Sequence, residues 1–429
     1  MVMRLDSQLS FLCPGLKEHI RSRNEIYLAK SALQEISSLS NLEAVWKEMF
    51  SSIPKKKRHS SGFDDISAEY FEKNKKTFLT NISRLLLTKD YKPLPLVAYF
   101  IHKSSGKDRV ICVPTITDRL VQRAVLSYLN EKGYTLDNKI SFGFIKGSEN
   151  GVKPSLNKAI ELRNSSRWAY KADISAFFDT VDRDLLKRAI TKKIRAATIR
   201  ELICSFVDTE VKVRNSSEKN KLSKNGINDG IGLRQGMPIS PYLANLFLGD
   251  FDKLIIKKRI KMVRYADDLI AFAESRKDCE SIHTLCKAKL SSLGLKIHDI
   301  ALGSKTEIKE PNETVEFLGV GLEDTPTGKY HLTIPHSKKK LIKNELYKYK
   351  DISFCVKHGL NISKLQSLML NKIDGYLEAY NHCKNVQSLD NFLTDTYRQI
   401  MHAILLDEYD IDLNSLSKKQ IAFLRLTIK

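Results

Sequence analysis

The chain has 429 residues, 42% of them hydrophobic, which is enough for two or three subdomains with real cores and excludes a disordered tail. Lys and Arg outnumber Asp and Glu by 71 to 50, a formal charge of +21, so a polyanionic partner is expected. No apolar stretch approaches the roughly 18 residues of a membrane span, and Met1 to Pro14 carries Asp6 and no signal-peptide core; nucleic acid therefore fits the charge better than a membrane, and the expected location is cytoplasmic.

Residues 1–90 read as a mainly helical N-terminal extension. After Pro54 the run Lys55, Lys56, Lys57 and Arg58 reads as a solvated loop or a phosphate contact. Asp64-Asp65, which follows Ser60, Ser61 and Gly62 without an apolar strand on either side, reads as a surface turn and is left unassigned. From Tyr91 to Gly319 short apolar strands alternate with amphipathic helices, the texture of an α+β sheet domain, taken to extend over residues 91–335. Within it Trp168 to Phe178 reads as a strand whose end carries Asp173, followed by Asp179 to Asp182 and a helix marked by Leu185, Leu186, Ala189 and Ile190. Asn215 to Asp229, rich in Ser, Lys, Asn and Gly, is expected to be a mobile hairpin or loop tip.

Gly232-Leu-Arg-Gln-Gly-Met-Pro-Ile-Ser-Pro241 then predicts a helix, with Ser240 as N-cap, Pro241 as the first helical residue, and Leu243, Leu246, Phe247, Phe251, Leu254 and Ile255 on one face. The glycines before it allow close backbone approach to a nucleotide or template, and Gln235 can hydrogen-bond there; the plainer reading is an ordinary strand-to-helix turn. Lys261 to Ala273 places Asp267 and Asp268 between two apolar runs, as a tight hairpin would. From His336 onward helical periodicity returns with Lys338, Lys339 and Lys340, predicting a separate C-terminal helical subdomain over 336–429. The seven cysteines are scattered without metal-ligand spacing and read as reduced thiols, and the adjacency of His382 and Cys383 is read as incidental.

Adjacent acids at a turn repel unless a cation neutralises them, and two divalent ions about 3.5–4 Å apart are the recurring solution in polymerases. One ion would activate a primer 3′-hydroxyl and the other would hold the triphosphate. Hard oxygen ligands suit Mg²⁺, with Mn²⁺ able to substitute. Asp173 from one strand and Asp267 from the hairpin would bridge the ions, with Asp268 alongside. Most Asp-Asp pairs in charged proteins are nevertheless surface turns.

Asp173 with Phe177 and Phe178, then Arg234 to Pro241, then Tyr265-Ala-Asp-Asp268, in that order, closely resemble motifs A, B and C of reverse transcriptases. Gly106 to Pro114 and Asp118 to Gln122 resemble the fingers of group II intron and retron-type enzymes, as does Ser141-Phe-Gly-Phe144 with Gly147. Gly294-Leu-Lys296 with Lys305-Thr306 is similar to motif D, and Glu316 to Gly319 to the primer-grip strand. The resemblance implies a right-hand polymerase with fingers, an RRM-like antiparallel-sheet palm and a helical thumb, acting as an RNA-directed DNA polymerase on an RNA template and dNTPs to make DNA. It further implies that Lys107 and Arg109 hold the incoming triphosphate and that Gln235, Gly236 and Tyr265 line the substrate site. Lys305 would protonate pyrophosphate, the Ile174 carbonyl would be a metal ligand with Asp173, Asp267 and Asp268, and Phe178 would be a steric gate below the sugar; Phe177 is expected in the core.

No zinc-ligand set for an HNH endonuclease and no further acidic cluster for RNase H is evident. The chain is therefore similar to defence-associated, abortive-infection-type bacterial reverse transcriptases, and a cognate noncoding RNA template in antiphage defence is expected. Template-independent or protein-primed DNA synthesis, an RNA-dependent RNA polymerase, and a splicing-maturase or RNA-binding role are the alternatives; Phe178 speaks against the second, and a complete acid set against the last.

Overall fold

The structure, a computed structural model, describes residues 31–102, 108–136, 138–145, 147–301 and 303–424. Helices begin where the sequence supplies an oxygen to the first free amides: Ser31 opens Ala32–Ser37 with a capping box completed by Gln34, and Asp182 accepts from Leu185 N at 2.8 Å ahead of Arg183–Lys193. Strands form from short runs rich in aliphatic and aromatic residues: β1 (Val97–Ile101), β2 (Arg109–Val113), β3 (Trp168–Asp173), β4 (Lys261–Tyr265), β5 (Asp268–Ala273), β6 (Glu307–Lys309), β7 (Val315–Phe317), β8 (Val320–Asp324) and β9 (Tyr330–Thr333). They make three sheets, ordered β1-β2, β4-β5-β3-β6 and β7-β8-β9, and every ladder within them is antiparallel. The α+β expectation holds.

The chain divides into two compact units, Met1–Asp137 with Ala176–Gly249, and Asn138–Ser175 with Asp250–Lys429. In the first, Trp46 of helix Leu39–Ser52 lies 4.2 Å from the ring of Phe71, which stacks at 4.8 Å on Phe78. The basic run after Pro54 holds in part: Lys55–Lys57 form an exposed 3-10 turn, as a solvated loop would, but Arg58 is part-buried, its guanidinium 4.1 Å over the Phe50 ring and its Nε donating to the Ile53 carbonyl at 3.2 Å. A second expectation changes outright. The segment expected as a hairpin or loop tip contains helix Ser216–Lys224. The Asn215 side chain accepts from Glu218 N, the Glu218 carboxylate accepts from Arg214 N, and Leu222 is buried, so a helix stands with one apolar anchor in an otherwise polar run.

The second unit is built on the four-stranded sheet. Side chains alternate across it, so Ala169, Val263, Ile270 and Phe272 share one face with Leu156 and Ala159 of helix Val152–Ser165. Tyr170 points the other way, its hydroxyl 3.2 Å from His283 Nδ1 of helix Arg276–Ser291. The first face's core runs on without a break through Phe317 and Leu322 of the three-stranded sheet into Ile342 of helix His336–Tyr347 and Leu393 and Tyr397 of helix Val386–Tyr409. The Glu316 to Gly319 segment is not wholly strand, since β7 stops at Phe317 and Leu318-Gly319 form a two-residue turn at φ 49° and 83°.

Arg163, fully buried on helix Val152–Ser165, ties that helix to the three-stranded sheet and to the β6–β7 connection. It donates to the carbonyl of Leu322 at 2.7 Å and to those of Glu310 and Glu313, under a Tyr330 ring 4.3 Å away. Arg163→Met fills a similar volume but leaves these carbonyls without their donor, and is expected to cost roughly 2–4 kcal/mol. A lowered urea midpoint checks this; an unchanged midpoint would contradict it.

Candidate active site

Strand β3 ends on Asp173 and β5 begins on Asp268, and the register sets these residues opposite each other, with Tyr265 of β4 opposite Asp268 on its other side. Opposed residues of an antiparallel pair have Cα atoms about 4.5–5.5 Å apart and side chains on one face. Asp267 lies in the turn joining β4 to β5, where Ala266 takes a left-handed φ of 56°. The Asp267 carbonyl accepts from the amide of buried Ile174 at 3.1 Å, which ties the turn to the residue after Asp173. All three aspartates thus occupy one end of the sheet. Lys305, just ahead of β6, puts its Nζ 3.1 Å from Asp173 Oδ2, and Lys296 of the neighbouring Gly294-Leu-Lys segment accepts from Ser175 N at 2.8 Å through its carbonyl.

Burial, followed by the charges of Asp267 and Asp173, pushes the Asp268 carboxyl up to about 6, against the opposing pull of Lys171 and Lys305. A carboxylate so crowded is one that a cation stabilises, and an all-oxygen donor set fits a hard divalent ion. Among the described residues no three His, Cys, Asp or Glu side chains are gathered into a ready-made cage, and one Asp173 oxygen is engaged by Lys305. The donors fit such an ion in kind, and holding one would require the carboxylates to draw together and Lys305 to yield.

The remaining candidates belong to the first unit. The Gln235 side chain accepts from Arg109 Nε at 2.9 Å, and Cys112 N donates to the Gln235 carbonyl at 2.6 Å, so the loop before helix Ser240–Lys257 lies along β2. Gly236, at φ 109°, is required there: a Cβ would stand 2.6 Å from the Cys112 carbonyl oxygen. Phe177 is 2% exposed and in the core, while Phe178 is half-buried, its ring 5.4 Å from that of Phe177 and its carbonyl accepting from Leu233 N at 2.6 Å. Lys107 lies outside the described residues. Ser240 does not act as the expected N-cap. It is the first residue of its helix, and its hydroxyl donates to the Arg234 carbonyl at 2.7 Å.

Two ionic clusters built on buried arginines escaped the sequence reading. Glu210 accepts from Arg183 and Arg234 and from Gly230 N at 2.9 Å, while Arg183 Nε donates to the Gly232 carbonyl at 3.0 Å, so the glycine loop rests on this ion triad. Burial alone would raise the Glu210 carboxyl, but the hydrogen bonds of Arg183 and Arg234 outweigh it and hold it below its ordinary range. The second joins Arg264 to Asp252. A lone Glu210 gives no signal in sequence; Arg264 does, as a charge inside an apolar strand.

The family profile described as "Reverse transcriptase (RNA-dependent DNA polymerase)" matches residues 101–322, just over half of the chain. The chain is a member of the reverse transcriptase family. Its fold is the right-hand polymerase class, and its activity is RNA-directed DNA synthesis, with RNA as template and DNA as product. This reverse transcriptase is 27% identical to the protein YkfC of Escherichia coli K12 over 61% of its own length and 75% of that protein's. It is also 27% identical to the group II intron-encoded protein LtrA of Lactococcus lactis, over 49% of this chain and 33% of LtrA, and 25% identical to the retron Ec83 reverse transcriptase of Escherichia coli, over 68% and 85%. The chain thus spans about a third of LtrA's length. A solved telomerase from Candida albicans, in complex with a fragment of telomeric RNA, aligns with a TM-score of 0.42 at 12% identity over 85% of this chain and 69% of that one. No helix among the described residues is long and apolar enough to cross a membrane.

The raised Asp268 carboxyl gives a pH signature. Between its ordinary range near 4 and its folded value of about 6, the folded enzyme holds a proton that the unfolded chain releases, so this residue's contribution to stability falls as pH rises through that window. In chelator-treated protein Asp268→Asn, which cannot ionise, should melt a few degrees above wild type at pH 7, with the gap closing towards pH 4. A pH-independent gap would show that Asp268 is not strained by its neighbours.

Proposed function

We propose that this reverse transcriptase works by a two-cation mechanism with Asp173, Asp267 and Asp268 as its carboxylates and Mg²⁺ as the physiological ion, Mn²⁺ being able to substitute. The observation that carries this is the β3–β5 register, which sets Asp173 opposite Asp268 beside the turn that bears Asp267. Bound cations would activate the primer 3′-hydroxyl and neutralise the triphosphate during nucleotidyl transfer. The Ile174 carbonyl would complete the donor set. Lys305 would leave Asp173 to give its proton to the departing pyrophosphate. Lys107 and Arg109 would grip the triphosphate as charge-assisted donors, with Gln235, Gly236 and Tyr265 lining the nucleotide and template surface. Residues 91–335 would form fingers and palm, and 336–429 the thumb and tail, after a helical extension at 1–90.

The proposed setting is a cytoplasmic enzyme that binds a cognate noncoding RNA, copies it into cDNA and acts in antiphage defence. A charge of +21 supports a long polyanionic partner, but phosphate contacts give affinity with little sequence information, so a structured RNA is the natural source of template and register. Asp267→Ala with Asp268→Ala should abolish dNTP incorporation while leaving folding and RNA retention intact. Sequencing RNA and DNA purified with both proteins should find one enriched RNA in each and matching cDNA only with wild type. Normal extension by the double variant would overturn the site, and a random RNA sample or cDNA with no RNA counterpart would overturn the template.

Phe178 is proposed as the gate that rejects a ribose 2′-hydroxyl. Phe178→Val should then admit ribonucleotides, raising rNTP relative to dNTP incorporation at least tenfold, an increase equivalent to about 1.4 kcal/mol; an unchanged ratio would return Phe178 to a packing role.

A further inference from the structure

The turn that carries Asp267 is held from beneath by groups with no catalytic chemistry of their own. Arg264 stands on β4 next to Tyr265, so strand alternation sends it to the opposite face, where it is completely buried. Its Nε donates to Asp252 Oδ1 at 2.7 Å, its Nη2 to Ser141 Oγ at 2.7 Å and to Asp252, and its Nη1 to the Ala266 carbonyl at 3.1 Å. Asp252 is 2% exposed and is also held by Asn138 Nδ2 at 2.9 Å. A buried ion pair is weak evidence for stability, because desolvation offsets most of the attraction. Geometry is what this one supplies: a planar fork spanning an acid, a hydroxyl and the first carbonyl of the turn, which an ammonium on a flexible stem could not span.

The segment around Ser141 completes the clamp. Arg264 N donates to the Ile140 carbonyl at 2.7 Å and Phe142 N to the Arg264 carbonyl at 3.0 Å, so residues 140–142 extend the sheet beyond β4. Two residues after Ser141, Gly143 abuts the turn. A Cβ built on it would lie 2.7 Å from Ala266 N and 3.2 Å from the Tyr265 carbonyl carbon, both backbone atoms that cannot swing aside. Its φ is not in the left-handed region, so the glycine serves space and not conformation.

We infer that Arg264, Asp252 and Gly143 are positioning residues that set the height of the Ala266-Asp267 turn and thereby the affinity of the aspartate site for divalent cations. This rests on the cation reading of Asp173, Asp267 and Asp268. Gly143→Ala keeps the ion pair and pushes the turn; Arg264→Lys keeps the charge but loses the bridge to the Ala266 carbonyl. Mn²⁺ binding to the full-length protein, free of nucleic acid, is measured by electron paramagnetic resonance, with near-ultraviolet circular dichroism confirming the fold of each variant. Primer extension then gives the half-saturating Mg²⁺ concentration and, at saturating Mg²⁺, the KM for dNTP. Both variants should bind Mn²⁺ about tenfold more weakly and need correspondingly more Mg²⁺, with KM for dNTP changed less than twofold. A variant that does not fold is set aside and the other decides. If wild type binds Mn²⁺, Asp267→Asn with Asp268→Asn does not, and a folded clamp variant binds as wild type does, the positioning role is overturned. If wild type shows no binding that depends on those aspartates, the cation reading itself fails.

Discussion

Three carboxylates at one end of a sheet repel one another, and the second unit of this reverse transcriptase is organised to hold them there. Asp173 and Asp268 cannot separate without breaking the β3–β5 ladder, and Asp267 cannot retreat without breaking the hydrogen bond from Ile174 to its carbonyl. Part of the repulsion is met by Lys305 on Asp173, and part by the upward shift of the Asp268 carboxyl. Neither is complete. The unbalanced charge is a stability cost that, in the proposed cation mechanism, a divalent ion would turn into binding energy.

The same device, a buried charge network used to fix backbone, recurs in the first unit. Glu210, Arg183 and Arg234 hold Gly230 to Gly232, and the loop that follows lays Gln235 and Gly236 along β2. In both units a turn or loop that carries candidate residues, Asp267 in one and Gln235 with Gly236 in the other, is braced by a salt bridge whose arginine is buried and also donates to backbone carbonyl oxygen. Loops are adaptable by default. Here they are over-determined, which is what positioning to within a fraction of an ångström demands.

Much of this was legible in the sequence, for identifiable reasons. The strand ending on Asp173 and the hairpin around Asp267 and Asp268 were readable because apolar runs bracket the acids, and helix Ser240–Lys257 because its apolar spacing is regular. Helix Ser216–Lys224 was not, since only Leu222 is apolar and the stabilising event is a local cap at Asn215. Ser240 was misjudged as a cap because composition cannot say whether a hydroxyl accepts from the helix or donates to Arg234. The pairing of Arg264 with Ser141 and the tight fit of Gly143 against Ala266 join segments far apart in the chain, and Asp252 meets Arg264 from the preceding helix, so no local pattern reports them.

If the β3–β5 register serves the proposed mechanism, it brings three aspartates onto shared cations. A crystal structure of the enzyme with primer, template and an unreactive dNTP analogue, collected with Mn²⁺ at its absorption edge, tests it directly through the anomalous map. Two peaks about 3.5–4 Å apart are expected, with Asp173 and Asp267 on both and Asp268 alongside. A single peak, or peaks that leave Asp173 uncoordinated and still paired with Lys305, would contradict the proposed mechanism.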